Sequence, residues 1–248
     1  MKIGIVGIGV VGGALKKMFE AFEYTVIGYD KYKDEYKQNY QNLFDCEVLF
    51  LCLPTPTIND KISLEAFDDF FWNFTNYKGI IVIKSTILPG TCKMLSEKYN
   101  YDILHSPEFI TEKNALIDTF TPNKIVIGSD VSLDKAVKIS ELFKPLNKEI
   151  IFCDTVTSEL IKYACNCELA MQVSYANEIY EIAEKIGANY QTVKKAMLLD
   201  KRIGRFKEVT KERGFGGMCF PKDTQAFLNE FNSDMVKATV KINKRVKR

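Results

Sequence analysis

The chain has 248 residues, 46% of them hydrophobic and 12% aromatic, which is enough apolar material for one large or two modest packed domains. Its 34 basic and 32 acidic residues leave a net charge of +2, and this excludes an overall field that would attract nucleic acid or an anionic membrane. The seven cysteines are odd in number and follow no metal-ligand spacing, so we expect neither a disulfide framework nor a metal site, and a reducing cytoplasm fits them. The apolar start of the chain is too short for a membrane span and lacks a cleavage site, so neither an anchor nor a signal peptide is expected.

The first predicted elements are a strand, a tight turn and a helix. The apolar run at residues 2–7 leads into the pattern Gly7-x-Gly9-x-x-Gly12, and an amphipathic stretch follows at residues 14–22. A second strand at residues 24–29 ends in Asp30, where a dinucleotide-binding fold places an acid for the ribose hydroxyls. Because this acid would repel a 2′-phosphate, the sequence predicts NAD rather than NADP as the cofactor.

Strands and helices continue to alternate to about residue 153. The predicted strands are 47–53, 79–84, 101–104, 124–128 and 149–152, and the predicted helices between them are 64–74, 90–99 and 133–143. This order is typical of an α/β fold with a Rossmann-like doubly wound parallel sheet, here assigned to a domain of residues 1–153. Ligands of such sheets bind beyond the carboxyl ends of the strands, where this chain has Pro54-Thr-Pro-Thr, Ser85-Thr and Ser106-Pro-Glu. The residues predicted to bind the cofactor are Gly7, Gly9, Val10, Val11, Gly12, Asp30, Thr55 and Thr86.

The remaining residues, 154–248, are predicted to form an all-helical central domain. Apolar positions keep helical spacing over 154–186, which predicts one long helix with Gly187 just after its end. On this helix Glu159, Lys162 and Asn166 share one face, either as a solvated polar stripe or as part of a site. Shorter helices are predicted at 190–199, 224–231 and 235–248.

The stretch from Gly214 to Asp223 has the composition of a reactive loop. Three glycines lead into a lone thiol, a proline and an adjacent Lys–Asp pair. A thiolate is stabilised beside a cation or at a helix N-terminus, and here Lys222 lies close while Asp223 is predicted to cap the next helix. Cys219 is therefore a candidate nucleophile. The alternative is that the glycines form a tight turn and that Cys219 is a small buried hydrophobic residue.

The same stretch, Gly214-Phe-Gly-Gly-x-Cys-Phe-Pro-Lys-Asp, resembles the catalytic loop of the UDP-glucose/GDP-mannose dehydrogenase family. The strand-end motifs above, Glu159-x-x-Lys-x-x-x-Asn and Asp200-x-Arg-Ile-Gly also resemble motifs of this family, in the same order along the whole chain. Two places depart from its pattern: the chain has Ile110-Thr-Glu-Lys where the family has Leu-Arg-Glu-Gly, and Lys211-Glu-Arg where members have Pro-Gly-x. Family members continue into a second nucleotide-binding domain, which we expect this chain to lack.

The resemblance implies oxidation of a nucleotide sugar's primary alcohol to a carboxylate with two NAD⁺, with UDP-glucose favoured and with a homodimer formed through the central helix. It implies that Cys219 forms a thiohemiacetal and then a thioester, and that Lys162 and Asn166 stabilise the oxyanions. The implied catalytic residues are Cys219, Lys162, Asn166, Asp223, Thr86 and Glu112. The implied substrate-binding residues are Glu108, Phe109, Ile110, Lys162, Asn166, Arg202 and Gly216.

Several alternatives stay open on the sequence. A 3-hydroxyacid dehydrogenase also joins a dinucleotide fold to a helical domain but would not need Cys219. A non-catalytic module that binds NAD or a partner chain, and a half-enzyme completed by a separate polypeptide, are the others. Thr86 and Glu112 could serve as caps or turn residues. His105, the one histidine, is expected to be a satisfied strand-end residue rather than a general base.

Overall fold

A computed structural model describes residues 1–58, 61–203, 209–210 and 212–247. Its contacts divide the chain into two compact units, which we treat separately. The first unit contains Met1–Pro56 and Ile62–Lys162, and the second contains Thr57–Lys61 and Tyr163–Arg248. This division falls inside the long helix, and the domain boundary after residue 153 stays a prediction.

The strands of the described residues are short. In chain order they are β1 (Lys2–Val6), β2 (Thr25–Tyr29), β3 (Val48–Leu51), β4 (Thr57–Ile58), β5 (Lys61–Ile62), β6 (Ile80–Ile83), β7 (Ile103–His105), β8 (Ile125–Gly128) and β9 (Ile150–Cys153). Seven of them form the sheet of the first unit in the order β2-β1-β3-β6-β7-β8-β9. In this order β2 lies on one side of β1, and β3 and the later strands lie on the other side. This change of direction after β2 confirms the predicted Rossmann-like α/β fold.

The sheet is not parallel throughout. Every neighbouring pair from β2 to β7 is parallel and so is the pair β8 and β9, but β7 and β8 pair antiparallel through His105 and Gly128. The last two strands therefore run against the first five, which the sequence analysis did not predict. As a result, the residues that precede β8 lie at the same edge of the sheet as the carboxyl ends of its five parallel strands, β1, β2, β3, β6 and β7.

The helices are, in chain order, α1 (Val10–Ala21), α2 (Asp34–Lys37), α3 (Glu65–Asn73), α4 (Thr91–Tyr99), α5 (Ala115–Phe120), α6 (Leu133–Glu141), α7 (Thr155–Ile186), α8 (Tyr190–Leu199), α9 (Phe220–Phe231) and α10 (Asp234–Val246). Helices cover both faces of the sheet. Alternate residues of each strand point to opposite faces, so each strand contributes to both cores. Val48 and Phe50 of β3 pack into one core with α1 and α6, while Leu49 and Leu51 pack into the other with α3 and α4. A sheet buried on both faces explains why its strands read as continuous apolar runs.

The long helix α7 begins and ends where local signals place its caps. The Asp154 carboxylate accepts a hydrogen bond from Thr157 N at 2.7 Å, and Gly187 has a φ of +73°. The predicted start of α9 was wrong. This helix begins at Phe220, with Cys219 in the N-cap position and Pro221 in its first turn, so Asp223 lies inside the helix and does not cap it. Among the described residues, no helix combines the length and the apolar character needed to cross a membrane.

Candidate functional site

The glycine turn after β1 is held by close backbone contacts. Gly7 has a φ of +88°, and a Cβ on it would lie 2.6 Å from the carbonyl oxygen of Cys52. A Cβ on Gly12 would lie 2.0 Å from the Gly7 carbonyl oxygen, which no side chain can tolerate. At Gly9, in contrast, no atom from the described part of the chain lies within 4 Å of such a Cβ. The turn therefore leaves open space next to the N-terminus of α1.

This N-terminus has the features of an anion site. Gly9 is the N-cap and makes no side-chain cap, no acidic residue lies in the first turn, and Val10 is 49% exposed. At the end of β2 the two carboxylate oxygens of Asp30 accept hydrogen bonds from Ile8 N and Tyr32 N, each at 2.9 Å. These bonds fix Asp30 beside the turn. The open glycine, the uncapped helix and the fixed acid suit the pyrophosphate and ribose of NAD.

Two further cofactor candidates lie at the carboxyl ends of neighbouring strands. The Thr55 hydroxyl donates to the carbonyl oxygen of Thr86 at 3.0 Å, and the Ser85 hydroxyl donates to that of Leu53 at 2.6 Å. These bonds link the loop after β3 with the loop after β6. The structure thus brings Thr55 and Thr86 together, as expected for strand ends on one edge of a sheet.

A cluster of lysines surrounds the segment that follows β7. The buried Lys84 ammonium lies 2.6 Å from a Glu108 carboxylate oxygen, and Lys162 Nζ donates to the Glu108 carbonyl oxygen at 2.6 Å. The ammonium groups of Lys124 and Lys162 lie 4.3 and 5.4 Å from the centre of the Phe109 ring. Four of these residues, Lys84, Glu108, Phe109 and Lys162, are therefore fixed relative to one another within the first unit. Lys84 and Lys124 were not predicted from the sequence, and Lys124 reaches this edge only because β8 is antiparallel to β7.

Glu159 is not part of a solvated polar stripe on α7, which was one of the two predictions for it. Its side chain is fully buried, and its two carboxylate oxygens accept hydrogen bonds from Gly90 N at 2.6 Å and Cys92 N at 2.7 Å. It therefore caps α4 from outside that helix. Burial raises the pKa of this carboxyl from 4.5 to about 7, despite the two backbone donors.

His105 is buried and satisfied. Its Nδ1 lies 2.9 Å from the Ser158 hydroxyl, and its Nε2 lies 3.3 Å from the carbonyl oxygen of Ser85, so Nε2 donates. Burial lowers the pKa of the imidazole to about 3, aided by the nearby cations Lys84 and Lys162. A neutral, fully buried ring is a structural residue and not an accessible base.

The candidate reactive residues of the second unit lie on α7 and at the start of α9. Asn166 Nδ2 donates to one oxygen of the fully buried Asp223 at 2.6 Å, and Lys222 Nζ lies 2.6 Å from the other. The Lys222 cation is therefore paired with Asp223 rather than with the thiol. Cys219 lies one helical turn before Asp223, whose backbone N–H donates to the Cys219 carbonyl oxygen at 2.8 Å. Cys219 therefore lies at the N-terminus of α9.

Cys219 differs from the other cysteines in its exposure. It is exposed, whereas Cys46, Cys92 and Cys167 are buried and the remaining three are intermediate. Burial raises the pKa of five of these thiols, to about 11 for Cys46 and Cys153, to about 12 for Cys52 and Cys167, and well above the ordinary value for Cys92. The alternative that Cys219 is a buried hydrophobic residue therefore does not hold. No group of His, Cys, Asp and Glu side chains suited to a metal ion occurs in the described part of the chain.

The remaining predicted residues are more exposed. Glu112 begins a short 3-10 helix and faces solvent, and Ile110 is half-buried. The exposed Arg202 guanidinium forms a forked pair with the Asp200 carboxylate at 2.6 and 2.9 Å. At Gly216 a Cβ would lie 2.9 Å from Lys247 Nζ. Three positions named in the sequence analysis, Gly204, Lys211 and Arg248, lie outside the described residues.

Comparison with known families assigns both parts of the chain to one family. Residues 32–147 match the NAD binding domain of the UDP-glucose/GDP-mannose dehydrogenase family, and residues 156–245 match the central domain of the same family. The match to the NAD binding domain confirms NAD as the predicted cofactor.

Individual relatives carry related names. The chain is 34% identical over 230 residues to UDP-glucose 6-dehydrogenase of Rickettsia conorii, covering 86% of this chain and 52% of the relative. It is 33% identical over 220 residues to UDP-glucose 6-dehydrogenase YwqF of Bacillus subtilis, covering 82% of this chain and 50% of the relative. The chain thus spans about half the length of the curated relatives it matches.

Solved structures give the same result for the fold. A UDP-glucose dehydrogenase from Pyrobaculum islandicum has a TM-score of 0.84 at 26% identity, with 98% of this chain and 68% of that chain covered. The 3-hydroxyisobutyrate dehydrogenase of Mycobacterium tuberculosis has a TM-score of 0.72 at 14% identity, with 98% and 92% covered. The second likeness concerns the fold alone.

Proposed function

Because this chain belongs to the UDP-glucose/GDP-mannose dehydrogenase family, we propose that it carries out the NAD-dependent oxidation of a nucleotide sugar's primary alcohol to a carboxylate, with UDP-glucose as the favoured substrate. The observation that supports this most directly is the buried Asn166–Asp223 hydrogen bond one helical turn from the exposed Cys219. A thiol, an amide donor and a buried carboxylate are the groups that covalent oxidation of an aldehyde requires. The names of the relatives support the sugar class.

The proposed chemistry is centred on the Cys219 sulfur. NAD, when bound, supplies the hydride acceptor, and two equivalents account for the four electrons that separate an alcohol from a carboxylate. The Cys219 thiolate adds to the carbonyl carbon of the aldehyde, forming a C–S bond and a tetrahedral thiohemiacetal. After oxidation the same sulfur holds the acyl group as a thioester. Water then breaks the C–S bond, which releases the carboxylate and returns the thiolate.

Lys162 and Asn166 are proposed to stabilise the negative charge that develops on oxygen in these steps. They lie four residues apart on α7, so their side chains project from the same side of the helix. An ammonium and an amide N–H are both donors, and each is already oriented by a hydrogen bond of 2.6 Å, to Glu108 O and Asp223 Oδ2 respectively. Donors that are oriented before the reaction stabilise a transition-state charge without reorganising.

Proton transfer is assigned to carboxylates and a hydroxyl. Asp223 is the proposed group that activates the hydrolytic water, with Thr86 and Glu112 acting through water. Asp223 is fixed by its two partners, Asn166 and Lys222, at 2.6 Å each. Substrate contacts are proposed for Glu108, Phe109, Ile110, Arg202 and Gly216.

The direct test is acid production with a panel of UDP- and GDP-sugars. We expect two NADH per sugar with UDP-glucose, and we expect Cys219→Ser to stop acid formation because no thioester can form. Cys165→Ala is the matched control, since Cys165 is likewise not in a disulfide and is not fully buried, but it lies on α7. Normal acid formation by Cys219→Ser would rule out the covalent mechanism. If the protein instead oxidises 3-hydroxyacids and Cys219→Ser does so at the same rate, the result would favour a 3-hydroxyacid dehydrogenase, a class whose fold this chain shares.

The cofactor preference has its own test. Because the Asp30 carboxylate is fixed beside the glycine turn, it would repel the 2′-phosphate of NADP. We expect NAD to bind at least about tenfold more tightly than NADP, which is about 1.4 kcal/mol. Titration calorimetry with both dinucleotides measures this, and equal affinities would contradict it.

A second copy of the chain is the proposed protein partner. The long helix α7 carries Tyr175, Ile182 and Ile186 at spacings of seven and four residues, with 50%, 48% and 70% of their surfaces exposed. An apolar stripe of this kind is typical of a helix that pairs with its own copy. Light scattering should give the dimer mass, and Ile182→Glu should give the monomer.

The cytoplasm is the proposed location. None of the seven cysteines is in a disulfide, which fits a reducing compartment. Fractionation with a cytoplasmic marker enzyme tests this directly.

A further inference from the structure

The glycine-rich loop that leads to Cys219 is held by side chains from two helices of its own unit. The amide of Asn243, on α10, makes two hydrogen bonds with the backbone of one loop residue. Its Oδ1 accepts from Phe215 N at 2.7 Å, and its Nδ2 donates to Phe215 O at 3.1 Å. A side-chain amide that satisfies both groups of one residue takes the place of a neighbouring strand. We call this pair of bonds the Asn243 clasp.

The residues around the clasp show that the fit is close. Asn243 is 9% exposed and Phe215 is 4% exposed, so these polar groups are largely shielded from water. Gly214 has a φ of +63°, and a Cβ on it would lie 2.4 Å from Asn243 Oδ1. The glycine is therefore required for the amide to approach. If one partner of a buried hydrogen bond is removed, the other partner stays buried without a hydrogen bond, and this costs its full desolvation free energy. The clasp therefore strongly favours one loop conformation.

A second contact holds the loop from α7. Gly214 N donates to Asn177 Oδ1 at 3.3 Å. The guanidinium of the preceding residue, Arg213, lies 4.0 Å from the centre of the Tyr180 ring and 3.2 Å from a Glu184 oxygen. Three consecutive residues, 213 to 215, are thus attached to α7 or α10. The chain then passes through Gly216 and Gly217, without a Cβ, to Met218 and Cys219.

We propose that Asn243 is a positioning residue for Cys219: its clasp sets where the glycine-rich loop leaves the helices and thereby where the thiol is presented. The proposed effect is indirect, because the loop residue that Asn243 binds is Phe215. The inference rests on the proposed function for its kinetic consequence, but not for its structural one. In catalysis a displaced nucleophile lowers the rate of the covalent step, whereas the NAD turn of the first unit is left as it is.

The first experiment needs no turnover. Hydrogen exchange is measured at the Phe215 amide, and the mobility of a nitroxide spin label attached to Cys219 is read from its spectrum. In Asn243→Ala the Phe215 amide should exchange about fivefold to tenfold faster, the factor that corresponds to one ordinary hydrogen bond, and the label should become more mobile. Asn243→Asp keeps the acceptor for Phe215 N but loses the donor to Phe215 O. In this variant the Phe215 amide should stay protected from exchange, and the mobility of the spin label should increase less than in Asn243→Ala.

Ser174→Ala is the matched control. The buried Ser174 hydroxyl donates to Thr239 O at 3.0 Å, so it joins the same two helices, α7 and α10, without touching the loop. If Ser174→Ala changes Phe215 exchange and label mobility as much as Asn243→Ala does, the effect is a general loosening of the helices and the proposal is wrong. Unchanged exchange and mobility in both Asn243 variants would also overturn it. If Asn243→Ala does not fold, Asn243→Asp with the same control decides between these outcomes.

The kinetic experiment separates this inference from the proposed function. With the sugar nucleotide that is oxidised, Asn243→Ala should lower kcat for acid formation while the KM for NAD stays within about twofold, because the cofactor turn is untouched. Asn243→Asp should recover part of kcat. If kcat is unchanged in an Asn243 variant whose spin label has become more mobile, the positioning role is refuted. A wild-type protein that forms no acid would refute the proposed function, and the exchange and label results would still decide whether the clasp sets the loop.

Discussion

The two glycine-rich loops of this protein are held in opposite ways. The turn Gly7–Gly12 is held by backbone: hypothetical Cβ atoms on its first and last glycine would meet carbonyl oxygens at 2.6 and 2.0 Å. The loop Gly214–Gly217 is held by side chains: a Cβ on Gly214 would meet Asn243 Oδ1, one on Gly216 would meet Lys247 Nζ, and one on Gly217 would meet no atom of the described residues. Backbone cannot move aside, but a side chain can change its rotamer. Gly7 and Gly12 should therefore tolerate no substitution, whereas the second loop should respond in graded steps.

The largest effect is expected in the backbone-held turn. In Gly12→Ala the new Cβ would lie 2.0 Å from the Gly7 carbonyl oxygen, so the turn must open. We expect a loss of about 4 kcal/mol or more in the free energy of unfolding, together with loss of measurable NAD binding. Gly13→Ala is the matched control, since no atom lies within 4 Å of its Cβ and alanine favours the helix by about 0.5–1 kcal/mol. Denaturation and calorimetry measure both, and a Gly12→Ala protein that binds NAD normally would contradict the comparison.

A third glycine turn, in the first unit, is held by a side chain, and its response should depend on pH. Glu159 bonds Gly90 N and Cys92 N, and burial raises the pKa of its carboxyl from 4.5 to about 7. Between these values the folded protein keeps a proton that the unfolded chain has lost, so stability falls as the pH rises. This contribution is fully present below about pH 4.5 and is lost by about pH 7. Over that window it amounts to about 3 kcal/mol.

The measurement is urea unfolding of the wild type and Glu159→Gln at several pH values. His105 contributes an opposite slope, because its lowered pKa of about 3 makes stability fall as the pH drops below 6.5. This slope is present in both proteins and cancels in their difference. The wild type should lose stability relative to Glu159→Gln from pH 4.5 to pH 7. A difference that is flat over this range would show that Glu159 is ionised when folded.

In the side-chain-held loop, Gly214→Ala should cost less than Gly12→Ala. Alanine at a φ of +63° is strained, and Asn243 Oδ1, 2.4 Å from the new Cβ, must withdraw from its bond with Phe215 N. We expect a loss of about 2–3 kcal/mol from the strain and the hydrogen bond together. The Phe215 amide should also lose its protection from exchange. Protection like that of the wild type would mean that the amide adapts without breaking the clasp.

The smallest effect is expected at Gly217. Its φ is +75°, but no atom of the described residues lies within 4 Å of a Cβ placed there, so the expected cost is that of backbone strain. Gly217→Ala should cost about 1 kcal/mol in the free energy of unfolding. Thermal unfolding beside Gly214→Ala gives the ratio of the two costs. Should Gly217→Ala be the more damaging of the two, the loop would be held by contacts other than the clasp.

Elements with strong local patterns were predictable from the sequence. The pattern Gly7-x-Gly9-x-x-Gly12 between an apolar run and an amphipathic stretch predicted the first strand, turn and helix, because each depends on neighbouring residues. The end of α7 at Gly187 was predictable for the same reason. The start of α9 was not, since Asp223 favours a helix that begins at residue 224, whereas Pro221 favours one that begins near residue 220.

By itself, the sequence determined the cofactor turn, the order of strands and helices, the family, and the motif that surrounds the exposed thiol of Cys219. The tertiary structure alone decided which distant groups meet. Reversal of β8 brings Lys124 to Phe109, burial makes Glu159 a cap for α4, and α10 supplies Asn243 to a loop 28 residues before it. Each of these contacts joins residues far apart in sequence, and no local periodicity encodes a distance between them. Packing of the cores sets those distances, because only one arrangement buries the apolar faces and leaves the polar groups between them hydrogen-bonded.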